Sequence, residues 1–181
     1  MVLLGAFSRN VYLETTDAGR AGPSFDDDDS GNTKGFHRAD FKDEAWPQVA
    51  TFNTTLDAQG YDRNTVFWYR TKIMVPAKDG KLALFFGEVD GKAEVYVNGE
   101  KITVPEKIQN TKKPALPGVK ELREGMAKAR TPFEVDVTGA IKTGENTIAV
   151  RVDHTQITDI SLGGIIRPVL LIAKPGAGAS K

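Results

Sequence analysis

From residue 66 onward, apolar and polar positions alternate with a period of two. Phe67, Tyr69, Ile73 and Val75 share one side of a run whose other side carries Trp68, Arg70 and Lys72, with Thr71 interrupting the apolar row. Leu82, Leu84 and Phe86 alternate with Ala83 and Phe85, and Ala93, Val95 and Val97 with Glu94 and Tyr96. Phe133, Val135 and Val137 alternate with Glu134 and Asp136, and Ile148, Val150 and Val152 with Thr147, Ala149 and Arg151. Successive side chains of a strand point to opposite faces, so this alternation predicts half-buried antiparallel strands stacked as a sandwich. The expected core is Leu82, Leu84, Val95, Val97, Val135, Ile148, Val150 and Val152. Residues 169–173 are apolar throughout, as a strand covered on both faces requires.

Turn chemistry separates the strands. Asp79-Gly80, Asp90-Gly91 and Asn98-Gly99 each pair a residue tolerant of positive φ with glycine. Asn98-Gly99 predicts a two-residue hairpin with Gly99 at positive φ. The start of the chain is less regular. Residues 10–16 offer one strand, with Val11 and Leu13 on a face, and 17–35 read as loop. Residues 50–65 and 103–131 are long for connections within a sandwich, and 119–129 carry a helical pattern. The expected organisation is one domain: an N-terminal strand and acidic loop (1–35) belonging to a sandwich over 36–174, then a flexible tail, 175–181.

Composition narrows the function. The chain's 181 residues suffice for one sizeable core. Its 24 basic and 24 acidic side chains cancel, so no field for nucleic acid or an anionic membrane is expected. No apolar run approaches the roughly 20 residues of a membrane span. The absence of cysteine excludes disulfides and thiolate metal sites and leaves the compartment open. Residues 1–7 are too short for a complete leader, so the protein is cytoplasmic or, if a leader was removed, periplasmic or secreted.

Several motifs in order resemble a known family. WYR (Trp68 to Arg70), GEVDGKAEVYVNG (Gly87 to Gly99), PFEVDVT (Pro132 to Thr138), GENTIAVRV (Gly144 to Val152) and GGIIRPVLL (Gly163 to Leu171) resemble the sugar-binding domain of glycoside hydrolase family 2 and of sialate O-acetylesterase-like proteins. The resemblance spans residues 41–174 and implies a jelly roll of galactose-binding domain-like type. It further implies a non-catalytic carbohydrate-binding or accessory module whose partners are a carbohydrate, a catalytic domain or a second copy. The alternative it leaves is a structural or protein-interaction module without sugar affinity. One departure matters: the family's short glycine- and histidine-containing loop after V-N-G is replaced by residues 103–131, so no ligand contact carries over there.

The chemistry of single residues agrees with binding over catalysis. There is no cysteine nucleophile and no G-x-S-x-G, and no carboxylate pair stands out for glycoside hydrolysis. A sugar site needs an aromatic face and planar polar side chains. Trp46 and Trp68 match positions that relatives use for packing. Tyr61 lies in a polar loop beside Asp62, where the ring could stack on a sugar and the carboxylate bond its hydroxyls. The resemblance points to Asn53 and Asp159 as polar contacts; turn roles are equally open for both. His154 follows a strand end, where it caps the sheet or meets ligand. No cofactor is expected. The one metal candidate is a structural calcium at Asp26 to Asn32, against the simpler reading of a solvated acidic loop, since adjacent carboxylates cannot all face one ion.

Overall fold

The structure is a computed structural model and describes residues 2–3, 24–25, 28–51, 56–61, 65–76, 80–105, 131–155 and 164–174. The strands are β1 (Val2–Leu3), β2 (Ser24–Phe25), β3 (Val66–Val75), β4 (Lys81–Phe86), β5 (Val89–Asp90), β6 (Lys92–Val97), β7 (Glu100–Ile102), β8 (Phe133–Asp136), β9 (Gly144–Asp153), β10 (Gly164–Ile165) and β11 (Val169–Lys174). They form a five-stranded sheet, β2-β3-β9-β6-β7, a four-stranded sheet, β1-β11-β4-β8, and a β10-β5 ribbon. Every pairing among the described residues is antiparallel. The only helical pieces among them are one turn at Gly31–Lys34 and a 3₁₀ turn at Asp57–Gln59. The protein is thus an all-β antiparallel sandwich.

β3 and β9 are its spine, paired over ten residues from Val66↔Asp153 to Val75↔Gly144. Their inward side chains, Phe67, Tyr69, Ile73, Val75, Ile148, Val150 and Val152, meet Leu82, Leu84 and Phe86 of β4 and Val169 and Leu171 of β11. All eight core residues expected from the alternation are at most 2 % exposed. Burying one such aliphatic side chain stabilises by about 1.5–3 kcal/mol, which explains why the register tolerates no slip.

The β6–β7 turn forms as expected, with Asn98 at φ 54° and Gly99 at φ 89°. Asn98 does more than turn the chain. Its Nδ2 donates to Asn146 Oδ1 (2.8 Å) and to the Ala140 carbonyl (2.9 Å), and its Oδ1 accepts from Thr147 N–H (3.0 Å). The asparagines of V-N-G and G-E-N therefore meet, and close one end of the sandwich.

The N-terminal region differs from expectation. Within 17–35, read as loop, β2 pairs with the edge of β3 and Gly31–Lys34 makes a helical turn. Both are too short to carry a periodic signal and depend on the sheet they lie against. The expected strand at 10–16 and helix at 119–129 lie outside the described residues.

Candidate functional site

Strand direction gathers the irregular segments at the end opposite Asn98 and Asn146. β9 finishes there at Asp153, β3 begins there at Val66, and Lys92 of β6 lies across from Asp153. β7 runs toward this end before residue 106, and β8 starts there at Phe133, opposite Phe86. The β5–β10 ribbon lies there too, with Asp90 paired to Gly164. The described residues that flank 62–64, 106–130 and 156–163 therefore share one end.

Two motifs that are far apart in sequence build this end together. Gly87 N–H donates to the Pro168 carbonyl (3.0 Å), and Ile166 N–H to the Glu88 carbonyl (3.1 Å). Arg167 adds an ion pair to Glu88 at 3.4 Å. Tyr69, the centre of W-Y-R, points inward, and its hydroxyl accepts from Ile165 N–H at 3.2 Å. Burial pushes that phenol well above its usual range. Gly164 makes the contact feasible: it sits at φ 78°, and a Cβ there would lie 2.0 Å from the Tyr69 hydroxyl. The glycine of G-G-I-I-R-P is thus a close-approach residue.

The sequence candidates fall as follows. His154 is buried: its N–H donates to the Thr65 carbonyl (3.1 Å), its ring lies 6.2 Å from that of Phe67, and Nε2 is 3.8 Å from Asp90 Oδ2. Tyr61 is half-buried and packed against the main core, with its N–H donating to the Leu56 carbonyl (2.9 Å). Asn53, Asp62 and Asp159 lie outside the described residues. Thr65 and Asp90, both buried at this end, carry no signal in the sequence beyond the Asp90-Gly91 turn pair.

In the acidic loop, Asp28 Oδ1 accepts from the Ser30 hydroxyl (2.7 Å), the contact that chiefly draws its carboxyl down to about 2. Asp29 Oδ1 accepts from Arg151 Nε (3.0 Å) and Nη2 (2.7 Å). Asp26 and Asp27 lie outside the described residues. Among the described residues no group of three or more His, Asp or Glu could hold a metal ion.

The main chemistry missed by sequence lies on the outer face of the five-stranded sheet, where residues 28–46 form a strap. Phe36 packs edge-on against Trp68 (5.9 Å between centroids) and Trp46 (5.1 Å). Arg70 is fully buried beneath the strap; Nε donates to Asp43 Oδ2 (2.7 Å), Nη1 to the Phe36 carbonyl and Nη2 to the Phe41 carbonyl (3.3 Å). Beside it, Lys101 Nζ lies 3.0 Å from Glu94, whose other oxygen is 3.1 Å from the Tyr96 hydroxyl. Burial raises the Tyr96 phenol to about 12, and the Glu94 charge adds to the rise. Burial also works against the Glu94 carboxylate, but Lys101, Arg151 and Tyr96 outweigh it and hold that carboxyl below its ordinary 4.5. These groups satisfy one another and bind strap to sheet. The available signal was arginine alternating with aromatic and aliphatic residues in W-Y-R and A-V-R-V.

No family model matches the chain. A curated relative, the exo-β-D-glucosaminidase of Amycolatopsis orientalis, is 28% identical over 127 residues, covering 62% of this chain and 10% of the relative. Among solved structures, the Ruminococcus gnavus β-glucuronidase superposes with a TM-score of 0.58 at 20% identity, over 87% of this chain and 28% of that one. The Amycolatopsis orientalis exo-chitosanase gives 0.55 at 19% identity, over 88% and 21%. The fold is therefore one found within these enzymes. The chain is related to a segment of glycoside hydrolase family 2 proteins, spanning about a tenth of the curated relative's length.

Proposed function

We propose that this chain is a non-catalytic carbohydrate-binding or accessory module of jelly-roll, galactose-binding-like type, working with a glycoside hydrolase catalytic domain. The observation that carries the reading is the likeness, in sequence as well as fold, to a small segment of an enzyme named for acting on β-D-glucosaminides. The ligand meets the end where the flanks of the irregular segments converge. The strap covers Trp68, Arg70 and Tyr96 on the outer face of the five-stranded sheet, and the inner faces are packed, so neither offers open polar chemistry. At the converging end Tyr61 offers ring surface, and Asn53, Asp62 and Asp159 supply hydroxyl contacts. His154 supports the site from below, since its ring is shielded from solvent.

The test is calorimetry against oligosaccharides that include β-linked glucosamine and glucuronic acid units. Tyr61→Ala and Asp159→Ala should each weaken the best ligand by about ten- to a hundredfold while leaving the fold intact, as loss of a central contact costs about 1–3 kcal/mol. If both folded variants bind like the parent, the site lies elsewhere. If no glycan binds the parent at millimolar concentration, the second reading prevails: a scaffold that buttresses a larger enzyme.

A further inference from the structure

Asp90 and His154 are two buried titratable side chains: they are 3 % and 2 % exposed and lie 3.8 Å apart, Oδ2 to Nε2. Burying a carboxylate beside an imidazole is costly unless the pair compensates, and an aliphatic pair of similar volume would fill the space more cheaply. Their position in the topology supplies a reason. His154 closes β9, and its N–H ties that end to Thr65 at the start of β3. Asp90 closes β5, whose partner β10 resumes the chain at Gly164. This side-chain contact, with the Tyr69 hydroxyl on Ile165 N–H, joins the spine of the five-stranded sheet to the β5–β10 ribbon, the two anchors on either side of residues 156–163.

We propose that Asp90 and His154 are positioning residues that hold the β5–β10 ribbon in register with the end of β9 and thereby orient the ligand-binding end, a role that rests on the binding reading above. At 3.8 Å the two buried side chains lie against each other just beyond hydrogen-bond length, so replacing either one changes what the other packs on. The other titratable and charged groups that the adjoining elements carry already have partners. Asp153 holds Thr155 at 2.7 Å and has Arg151 at 3.7 Å; Glu88 pairs with Arg167; the Tyr69 hydroxyl takes Ile165 N–H. Lys92 stands across the sheet from Asp153.

The experiment is amide hydrogen exchange at neutral pH, corrected for intrinsic rates. It uses the full chain as parent, Asp90→Asn, His154→Gln and the double variant. In the single variants, exchange at Ile165 and His154 should rise about tenfold over the parent while the β3–β9 spine stays slow, as local opening at one junction requires. The double variant, with two amides able to bond each other, should recover part of the loss. Uniform acceleration across the spine, or no change at Ile165, overturns the positioning role. If a single variant fails to fold, the double variant decides: exchange at Ile165 must exceed the parent's relative to the spine. Glycan affinity of the folded variants should fall about tenfold alongside that loosening. Ribbon loosening without that fall refutes the orientation of a ligand end, while absence of any glycan binding, with the exchange pattern intact, refutes the binding reading and leaves the pair's hold on the ribbon standing.

Discussion

The two faces of the five-stranded sheet are built on the same strands and solve burial differently. The inner face is aliphatic and aromatic, with Val95, Val97, Ile148, Val150 and Val152 at most 1 % exposed, and the Tyr69 hydroxyl that it buries takes the Ile165 N–H. The outer face buries Trp68 and Tyr96 together with Arg70 and Arg151. Its charges are met by an irregular strap: Asp43 and two carbonyls for Arg70, Asp29 for Arg151. The inner face gains mainly from surface removed from water, an effect indifferent to direction. The outer face depends on directed contacts, each costly to leave unmade. The same period of two therefore produces a core on one side and a polar clasp on the other.

The largest expected effect sharpens that difference. Arg70→Ala should destabilise by about 3–5 kcal/mol, because removing one partner of a buried pair strands the other. Val150→Ala should cost about 1–3 kcal/mol, through lost contact and a small cavity. Urea unfolding of the two measures the ranking. If Arg70→Ala cost less than Val150→Ala, the strap would contribute little and the outer face would count as surface.

Acid should strike the outer face first. Burial raises the Glu94 and Asp153 carboxyls, but their partners outweigh it and hold both below their ordinary values of 4.5 and 3.8; for Asp153 these are Thr155, Arg151 and Lys92. A carboxyl depressed in the folded state contributes stability that is present above its unfolded value and lost as pH falls through the folded one. Stability should therefore drop as pH falls below about 4.5, and Lys101→Met should flatten the drop by removing the main support of Glu94. Thermal melts of parent and variant from neutral to acidic pH check this; parallel curves would remove Lys101 from the clasp.

Asp29→Asn should have the smallest effect, under about 1 kcal/mol, since Asp29 is 55 % exposed and such pairs are screened. Its effect should shrink further in high salt. A loss comparable to that of Arg70→Ala would mean that the strap closes as one cooperative unit rather than being held contact by contact.

Much of this fold was legible because alternation is a local property of strands, repeated on each of the long ones. The eight expected core residues, the Asn98-Gly99 turn and the strand at 169–173 follow from residue type and spacing alone. The outer face was not legible to the same degree. Arg70 and Lys72 occupy equivalent alternating positions, yet one is buried and the other exposed, because the strap reaches only the first. Nor did spacing show that Gly164 must lie against Tyr69, or that His154 would find Asp90, 64 residues earlier in the chain, since each needs strands distant in sequence to meet. Sequence by itself determined the strands, their inward faces and the tight turn, because these depend on backbone and hydrophobic preferences acting within a few residues. Only the tertiary structure decided which polar groups are buried and which end gathers the irregular segments, because burial and pairing of charge depend on what the rest of the chain lays over them.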